Sequence, residues 1–139
     1  MQRRYYFAYG SNLNKAQMLR RCPNAVPMGR ADLNGYTLEF RRVLTIVKRP
    51  GGIVRGGIWL ISETDERALD RYEGYPGWYE KQQVRLSCGF VAMTYVLNKG
   101  FEQKPSMGYL ETCLQGCLDF GIDPEELFKA YCRSLRAAG

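Results

Sequence analysis

Chemistry in this chain has to be sought among carboxylates, tyrosines and backbone amides, because its 139 residues include no histidine. Ser-His-Asp and Cys-His catalysis are therefore excluded. Acid–base work near neutral pH falls to a carboxylate with a raised pKa, a lysine or cysteine with a lowered one, or a tyrosine. Glu73 is a candidate. It stands where a helix should end, just before Gly74, and the negative end of a helix dipole opposes a negative charge there. Tyr72, Tyr75, Trp78 and Tyr79 crowd it in sequence and would desolvate it. Both effects raise a carboxyl pKa, and a glutamate in that state accepts and returns protons near neutral pH. Taken alone, an exposed glutamate at a frayed helix end is the plainer account of the same residues.

The second candidate is a stretch of backbone. Tyr5-Tyr6-Phe7-Ala8-Tyr9 is aromatic and apolar, as a buried strand is, and Gly10 breaks it. Ser11-Asn12 supplies side chains of the helix N-cap type ahead of a helix from Asn14 to Cys22. A strand, a glycine turn and a helix start point several free N–H groups at one spot. Such a spot suits a carboxylate, a phosphate or a developing oxyanion. The same pattern also describes a tight turn that binds nothing. Ser11 carries little weight as a nucleophile, since it lacks both a Gly-x-Ser-x-Gly frame and a histidine. By spacing alone, Tyr109 is a core aromatic in the first turn of a helix, and Tyr79 equally a packed strand residue.

These residues need a scaffold, and the length suits one domain spanning residues 1–139. The net charge of +6 permits an anionic partner without proving one. The basic pairs Arg3-Arg4, Arg20-Arg21, Arg41-Arg42 and Lys48-Arg49 are dispersed, which reads as solvated surface charge before a nucleic-acid face. The five cysteines form no Cys-x-x-Cys pair, so the usual zinc spacings are missing and no metal is expected. Free thiols in a cytoplasmic protein account for them. Cys113 and Cys117 share a helix face as core thiols. No signal-peptide h-region or run of transmembrane length is present.

Along the chain, Val26 to Leu33 reads as a weak strand, Asn34-Gly35 as a tight turn, and Tyr36 to Phe40 as a strand with one wet face. Leu44 to Val47 is a short β-branched run, Pro50 to Gly52 a turn, and Ile53 to Ile61 a strand in which Gly56-Gly57 signals a bulge or a close backbone approach. Ser62 to Tyr72 is helical, with Ser62 or Thr64 as cap and Gly74 as stop. Tyr79 to Leu86 and Phe90 to Leu97 form a hairpin around Gly89. Pro105-Ser106 opens a helix whose stripe comprises Leu110, Leu114 and Leu118 with Tyr109, Cys113 and Cys117. Asp123-Pro124-Glu125-Glu126 starts another, burying Leu127, Phe128, Tyr131 and Leu135. Six or seven short strands with helices between and after them indicate an α+β fold.

Tyr6-Phe7-Ala8-Tyr9-Gly10-Ser11-Asn12-Leu13 resembles the opening signature of the γ-glutamylcyclotransferase superfamily, which includes the AIG2-like proteins. Leu69-Asp70-Arg71-Tyr72-Glu73-Gly74 resembles its second signature. Pro105 to Leu110, with Gly116 and Gly121 beyond, resembles its third. The resemblance implies a mixed, closed β-barrel with flanking helices. It also implies a reaction in which the α-amino group of a γ-glutamyl amide attacks its own γ-carbonyl, releasing 5-oxoproline and an amine. Glu73 then matches the catalytic glutamate. Tyr9, Gly10, Ser11, Asn12 and Leu13 match the loop that binds the γ-glutamyl moiety, and Tyr79 and Tyr109 match pocket tyrosines. The implied partner is a small γ-glutamyl substrate, with no cofactor, nucleic acid or membrane, and the protein is expected to be a monomer or homodimer. A non-catalytic AIG2-like small-molecule binding protein is the alternative from another class.

Overall fold

Strand β1 (Arg3–Ala8) holds the centre of a five-stranded sheet ordered β2-β3-β1-β5-β4. The computed structural model describes residues 3–137. Tyr6, Phe7 and Ala8 are buried, as a strand with neighbours on both edges requires. β3 (Val43–Ser62) pairs antiparallel with β1, and β5 (Val91–Leu97) runs parallel to it. β2 (Val26–Arg41) flanks β3, and β4 (Tyr79–Arg85) flanks β5, both antiparallel. Four helices complete the fold: α1 (Lys15–Arg21), α2 (Glu63–Glu73), α3 (Met107–Asp119) and α4 (Glu125–Ala137).

The sheet has fewer strands than the local sequence indicates, because β2 and β3 form one long hairpin. Asn34-Gly35 is a bulge and not a turn: Asn34 faces Ile53 while Tyr36 faces Lys48, so Gly35 and residues 49–52 bend the ladder without ending it. The reversal lies at Arg42, which takes a left-handed φ of 67°. Gly56 and Gly57 mark close approach, with the ladder unbroken across them. A Cβ on Gly57 would lie 2.5 Å from the Phe120 ring.

Nor is the sheet a closed barrel. Its edge strands β2 and β4 share no ladder. Isolated bonds link their neighbourhoods, Gln82 Nε2 of β4 to the Tyr36 hydroxyl at 2.8 Å and, just past β4, Ser87 N–H to Asp32 O at 2.9 Å. Closure needs a continuous register between the edges, and the bent hairpin instead leans its tip toward β5, where Thr45 Oγ1 accepts from Leu97 N–H at 2.9 Å. Helix α4 packs on β2, and Arg133 donates to the Leu38 carbonyl at 2.9 Å.

Local signals set the helix ends. The N-cap of α1 is Asn14, whose side chain accepts from Gln17 N–H; Ser11 to Leu13 is a separate 3-10 turn before it. Ser62 and Asp65 form a reciprocal capping box on α2, and Gly74 ends that helix with a left-handed φ of 67°. On α3 the buried face is Leu110, Cys113, Gly116 and Cys117, while Leu118 is exposed. On α4 it is Leu127, Ala130 and Ser134, which leaves Phe128 and Leu135 exposed and Tyr131 only partly buried. The face of α4 is thus rotated from the bulkiest apolar residues toward small ones that let the helix approach β2. All five cysteines are free, with Cys22, Cys113 and Cys117 buried. Among the described residues no helix is long and apolar enough to cross a membrane.

Gly116 presses α3 against the 3-10 turn. A Cβ there would sit 2.6 Å from Leu13 Cβ and 2.7 Å from Asn14 N. Backbone cannot yield cheaply, so Gly116→Ala is expected to lose roughly 1–3 kcal/mol of stability in urea titrations. Gly108, near the start of the same helix with open space around it, gives the contrast. Gly108→Ala should be neutral or gain up to about 1 kcal/mol.

Candidate active site

Glu73, at the C-terminal end of α2, and the turn Gly10–Asn12, just past the C-terminal end of β1, line one cavity of about 220 Å³. Strand β1 delivers Tyr6 and Tyr9 to its wall, and the following turn delivers Gly10, Ser11 and Asn12. Helix α2 ends at the cavity with Tyr72 and Glu73. Tyr79, Tyr95 and Tyr109, with Val43 and Leu44 of the hairpin tip, complete it. Of the eight residues read from the sequence as the site, Leu13 alone lies outside the lining. It is fully buried beneath the turn, where it meets Gly57 and Gly116.

Asn12 organises the floor. Its Nδ2 donates to the Tyr6 hydroxyl at 2.9 Å and to Glu73 Oε1 at 3.2 Å. Its Oδ1 accepts from Arg21 at 2.8 Å, and its backbone carbonyl accepts from Trp59 Nε1 at 2.9 Å. Because a guanidinium only donates, Oδ1 must face Arg21 and the amide hydrogens must face Glu73. Arg21 is itself held by Gln17 Oε1 at 2.8 Å and lies 3.5 Å from the centre of the Tyr72 ring. Ser11 Oγ and the Tyr72 hydroxyl share a hydrogen bond of 3.1 Å. The amides of Ser11 and Asn12 open the 3-10 turn, and the first donors of a helical segment have no acceptor within it.

Burial pushes the Glu73 carboxyl up to about 7, with the Arg21 charge and the Asn12 hydrogen bond pulling it back. Of the four aromatic neighbours read from the sequence, Tyr72 and Tyr79 line the cavity with it and Tyr75 and Trp78 do not. Trp78 is 72% exposed and Tyr75 is 40% exposed. The buried rings at the cavity are Tyr6 on β1, Tyr9 just past its end, Tyr79 on β4 and Tyr95 on β5. Burial, and next the charge of Glu73, also raise the Tyr6 and Tyr9 hydroxyls, so both are neutral donors. Tyr9 gives its proton to the Tyr95 carbonyl at 2.6 Å, and Tyr79 gives its own to the Leu44 carbonyl at 3.0 Å. Tyr109 accepts from Leu44 N–H at 3.0 Å, and its hydroxyl lies beside Gly10.

Sequence reasoning named seven of the lining residues for the site and missed the others. Tyr6 lay inside the quoted motif. Tyr95 carried only the alternation of a strand, and its hydroxyl is tied to Asp70 at 2.6 Å. Arg21 carried no signal beyond a basic helix end. Among the described residues, no three His, Cys, Asp or Glu side chains gather to hold a metal ion.

An α+β chain with a desolvated glutamate facing a glycine turn has the make-up of a small-molecule enzyme site. The family model described as "Gamma-glutamyl cyclotransferase, AIG2-like" matches residues 6–112, and the chain belongs to that enzyme family. It is 28% identical over 137 residues to the gamma-glutamylcyclotransferase of Bos taurus, covering 86% of this chain and 73% of that protein. The Mus musculus gamma-glutamylcyclotransferase is 27% identical over the same shares. A solved structure of a gamma-glutamyl cyclotransferase superposes with a TM-score of 0.84 at 25% identity, covering 93% of this chain and 86% of that one.

The raised carboxyl has a consequence for stability. The folded protein holds a proton on Glu73 up to about pH 7, whereas the unfolded chain releases it near 4.5. The cost of the buried carboxylate is therefore absent below 4.5, grows between the two values and is complete above 7. Wild type should lose up to roughly 3 kcal/mol more than Glu73→Gln between pH 5 and pH 8. Parallel urea titrations of the two proteins check this. Equal pH dependence would mean that Glu73 is not desolvated.

Proposed function

We propose that this chain is a γ-glutamyl cyclotransferase in which Glu73 is the general acid–base. The observation that carries the reading is the desolvated Glu73 carboxyl, tied to Asn12 beside the amides of the Ser11–Leu13 turn. The cavity's volume of about 220 Å³ equals the liquid share of about seven waters, enough for a single folded γ-glutamyl group.

In this reaction the substrate carries its own nucleophile, so the protein needs none. The chain's part is to hold the γ-glutamyl group curled, with its α-nitrogen against its γ-carbonyl carbon. Such intramolecular placement is worth about 7–11 kcal/mol in well-oriented cases. A bond forms between the α-nitrogen and the γ-carbon, and the bond from that carbon to the amide nitrogen breaks. Glu73 takes a proton from the attacking nitrogen and returns one to the departing nitrogen. The glutamate ends as it began, no water is consumed, and 5-oxoproline and an amine leave. The amides of Ser11 and Asn12 are donors for the substrate carboxylate or the tetrahedral oxyanion, with the Tyr109 hydroxyl lining the same pocket. Tyr9 and Tyr79, whose protons are committed to backbone carbonyls, shape the wall.

A panel of γ-glutamyl amides assayed for 5-oxoproline tests the reading, and a non-catalytic binding protein would bind members of the panel and release none. Glu73→Gln should lower turnover by about 10²–10⁴-fold while a γ-glutamyl ligand still binds. Ser11→Ala should cost less, because no acyl group forms on that hydroxyl. Glu73 must be ionised to accept the proton, so kcat/KM should fall as pH drops through about 7. A fully active Glu73→Gln, or a covalent adduct on Ser11, would overturn the mechanism.

A further inference from the structure

A second hollow adjoins the cavity and is larger, about 620 Å³. The two share Val43, Tyr72, Glu73 and Tyr79, so the groove lies directly beside the Glu73 carboxyl. Its walls are the hairpin tip at Arg41–Val43, the end of α2, and the chain after β5. The lining carries Arg41, Arg42, Arg71 and Lys99 against a single carboxylate, Glu73. Arg41 is committed, to Glu39 at 2.7 Å and to the Lys99 carbonyl at 2.9 Å. Among the described residues no carboxylate pairs with Arg42, Arg71 or Lys99.

Two aromatic side chains stand beside these cations largely bare, Trp78 at 72% and Phe101 at 73% exposed. Neither is on a loose segment. Trp78 N–H donates to the Gly74 carbonyl at 2.8 Å, and its ring lies against Gly74. The chain carrying Phe101 is pinned two residues on, where Gln103 N–H donates to Phe40 O at 2.8 Å and Gln103 O accepts from Arg42 N–H at 3.1 Å. A bare aromatic pair among unpaired cations, fixed in place, fits a ligand with an apolar or aromatic body and a negative charge.

We infer that this groove receives the leaving half of the substrate and selects amines that carry both a carboxylate and a bulky apolar or aromatic body, such as a large apolar amino acid or a short peptide ending in one. Arg42, Arg71 and Lys99 meet the carboxylate, and Trp78 and Phe101 cover the body. Leaving amines with a second positive charge are repelled. This rests on the proposed cyclisation for the identity of the ligand, while the preference of the groove for anionic aromatic groups stands on the geometry above.

The test separates the two. Binding of N-acetyl-L-phenylalanine is compared with its neutral amide by calorimetry or NMR titration, with no turnover involved. The acid should bind about five- to tenfold more tightly, and the preference should collapse at high salt. It should vanish in Arg42→Gln/Arg71→Gln, whose exposed positions leave the fold intact as checked by thermal melting. Trp78→Ala should weaken acid and amide alike. Equal affinity for acid and amide, no binding of either, or a preference that survives the double substitution would overturn the inference. In turnover, γ-glutamylphenylalanine should exceed γ-glutamylphenethylamide by a similar factor in kcat/KM, carried by KM, and the double substitution should erase that ratio. If no γ-glutamyl amide yields 5-oxoproline while the acid is still preferred in binding, the cyclisation fails and the groove preference stands.

Discussion

One primary amide, that of Asn12, is the joint on which the site depends. Both of its polar atoms are engaged, the nitrogen donating to Tyr6 and Glu73 and the oxygen accepting from Arg21, while the residue's backbone carbonyl accepts from Trp59. A donor-only guanidinium on one side forces the amide hydrogens to the other, so Glu73 always meets a donor there. The amide places the Arg21 charge near Glu73 without placing it in contact. A direct ion pair would hold the carboxyl well below neutrality, and bare burial would leave it protonated over the whole neutral range. The balance leaves it near 7, where a group serves equally as acid and base.

The fold maintains that joint by packing. The turn bearing Asn12 is clamped between β3 and α3, with Leu13 fully buried and Gly57 and Gly116 leaving no room for a methyl group. Such close approach rigidifies a turn that has few hydrogen bonds of its own. On the far side, α2 is fixed at both ends, by the Ser62–Asp65 box and by Gly74. Along its length Lys81 bridges Glu66 at 2.6 Å and Asp70 at 3.0 Å, and Tyr95 donates to Asp70. Glu73 is thus set by a helix that cannot slide. Among the described residues no buried side-chain polar atom lacks a partner, so the tyrosine-rich wall leaves no uncompensated polar group.

The distribution of charge follows from the same construction. The inner cavity is closed by neutral tyrosines, each kept protonated by burial. The cations stand outside it, at the hairpin tip and the end of α2, where water solvates them. A carboxylate inside a low-dielectric ring and cations on a wet rim are compatible because burial, not charge pairing, sets the state of Glu73. The open sheet makes this possible. Its bent hairpin brings Val43 and Leu44 to the cavity wall.

The sequence by itself determined what neighbouring residues can satisfy among themselves. The break at Gly10, a helix start at one of the two caps read there, Ser62 and not Thr64, the stop at Gly74 and the Asp123-Pro124 start all appear, because turns and caps are closed by side chains within four positions. The three family signatures were legible in the same way, as short strings with their spacing. Tertiary structure decided the rest. Asn34-Gly35 carries the residues of a hairpin turn, yet the opposite strand continues past it and absorbs it as a bulge. Phe128 and Leu135 have the bulk of core residues, yet α4 turns Ala130 and Ser134 to β2. Glu73 is enclosed by Tyr6, Tyr9 and Tyr95 from distant parts of the chain together with Tyr79, and not by Tyr75 and Trp78 beside it. Burial depends on which surfaces meet, and surfaces meet through contacts far apart in the chain, which no local spacing encodes.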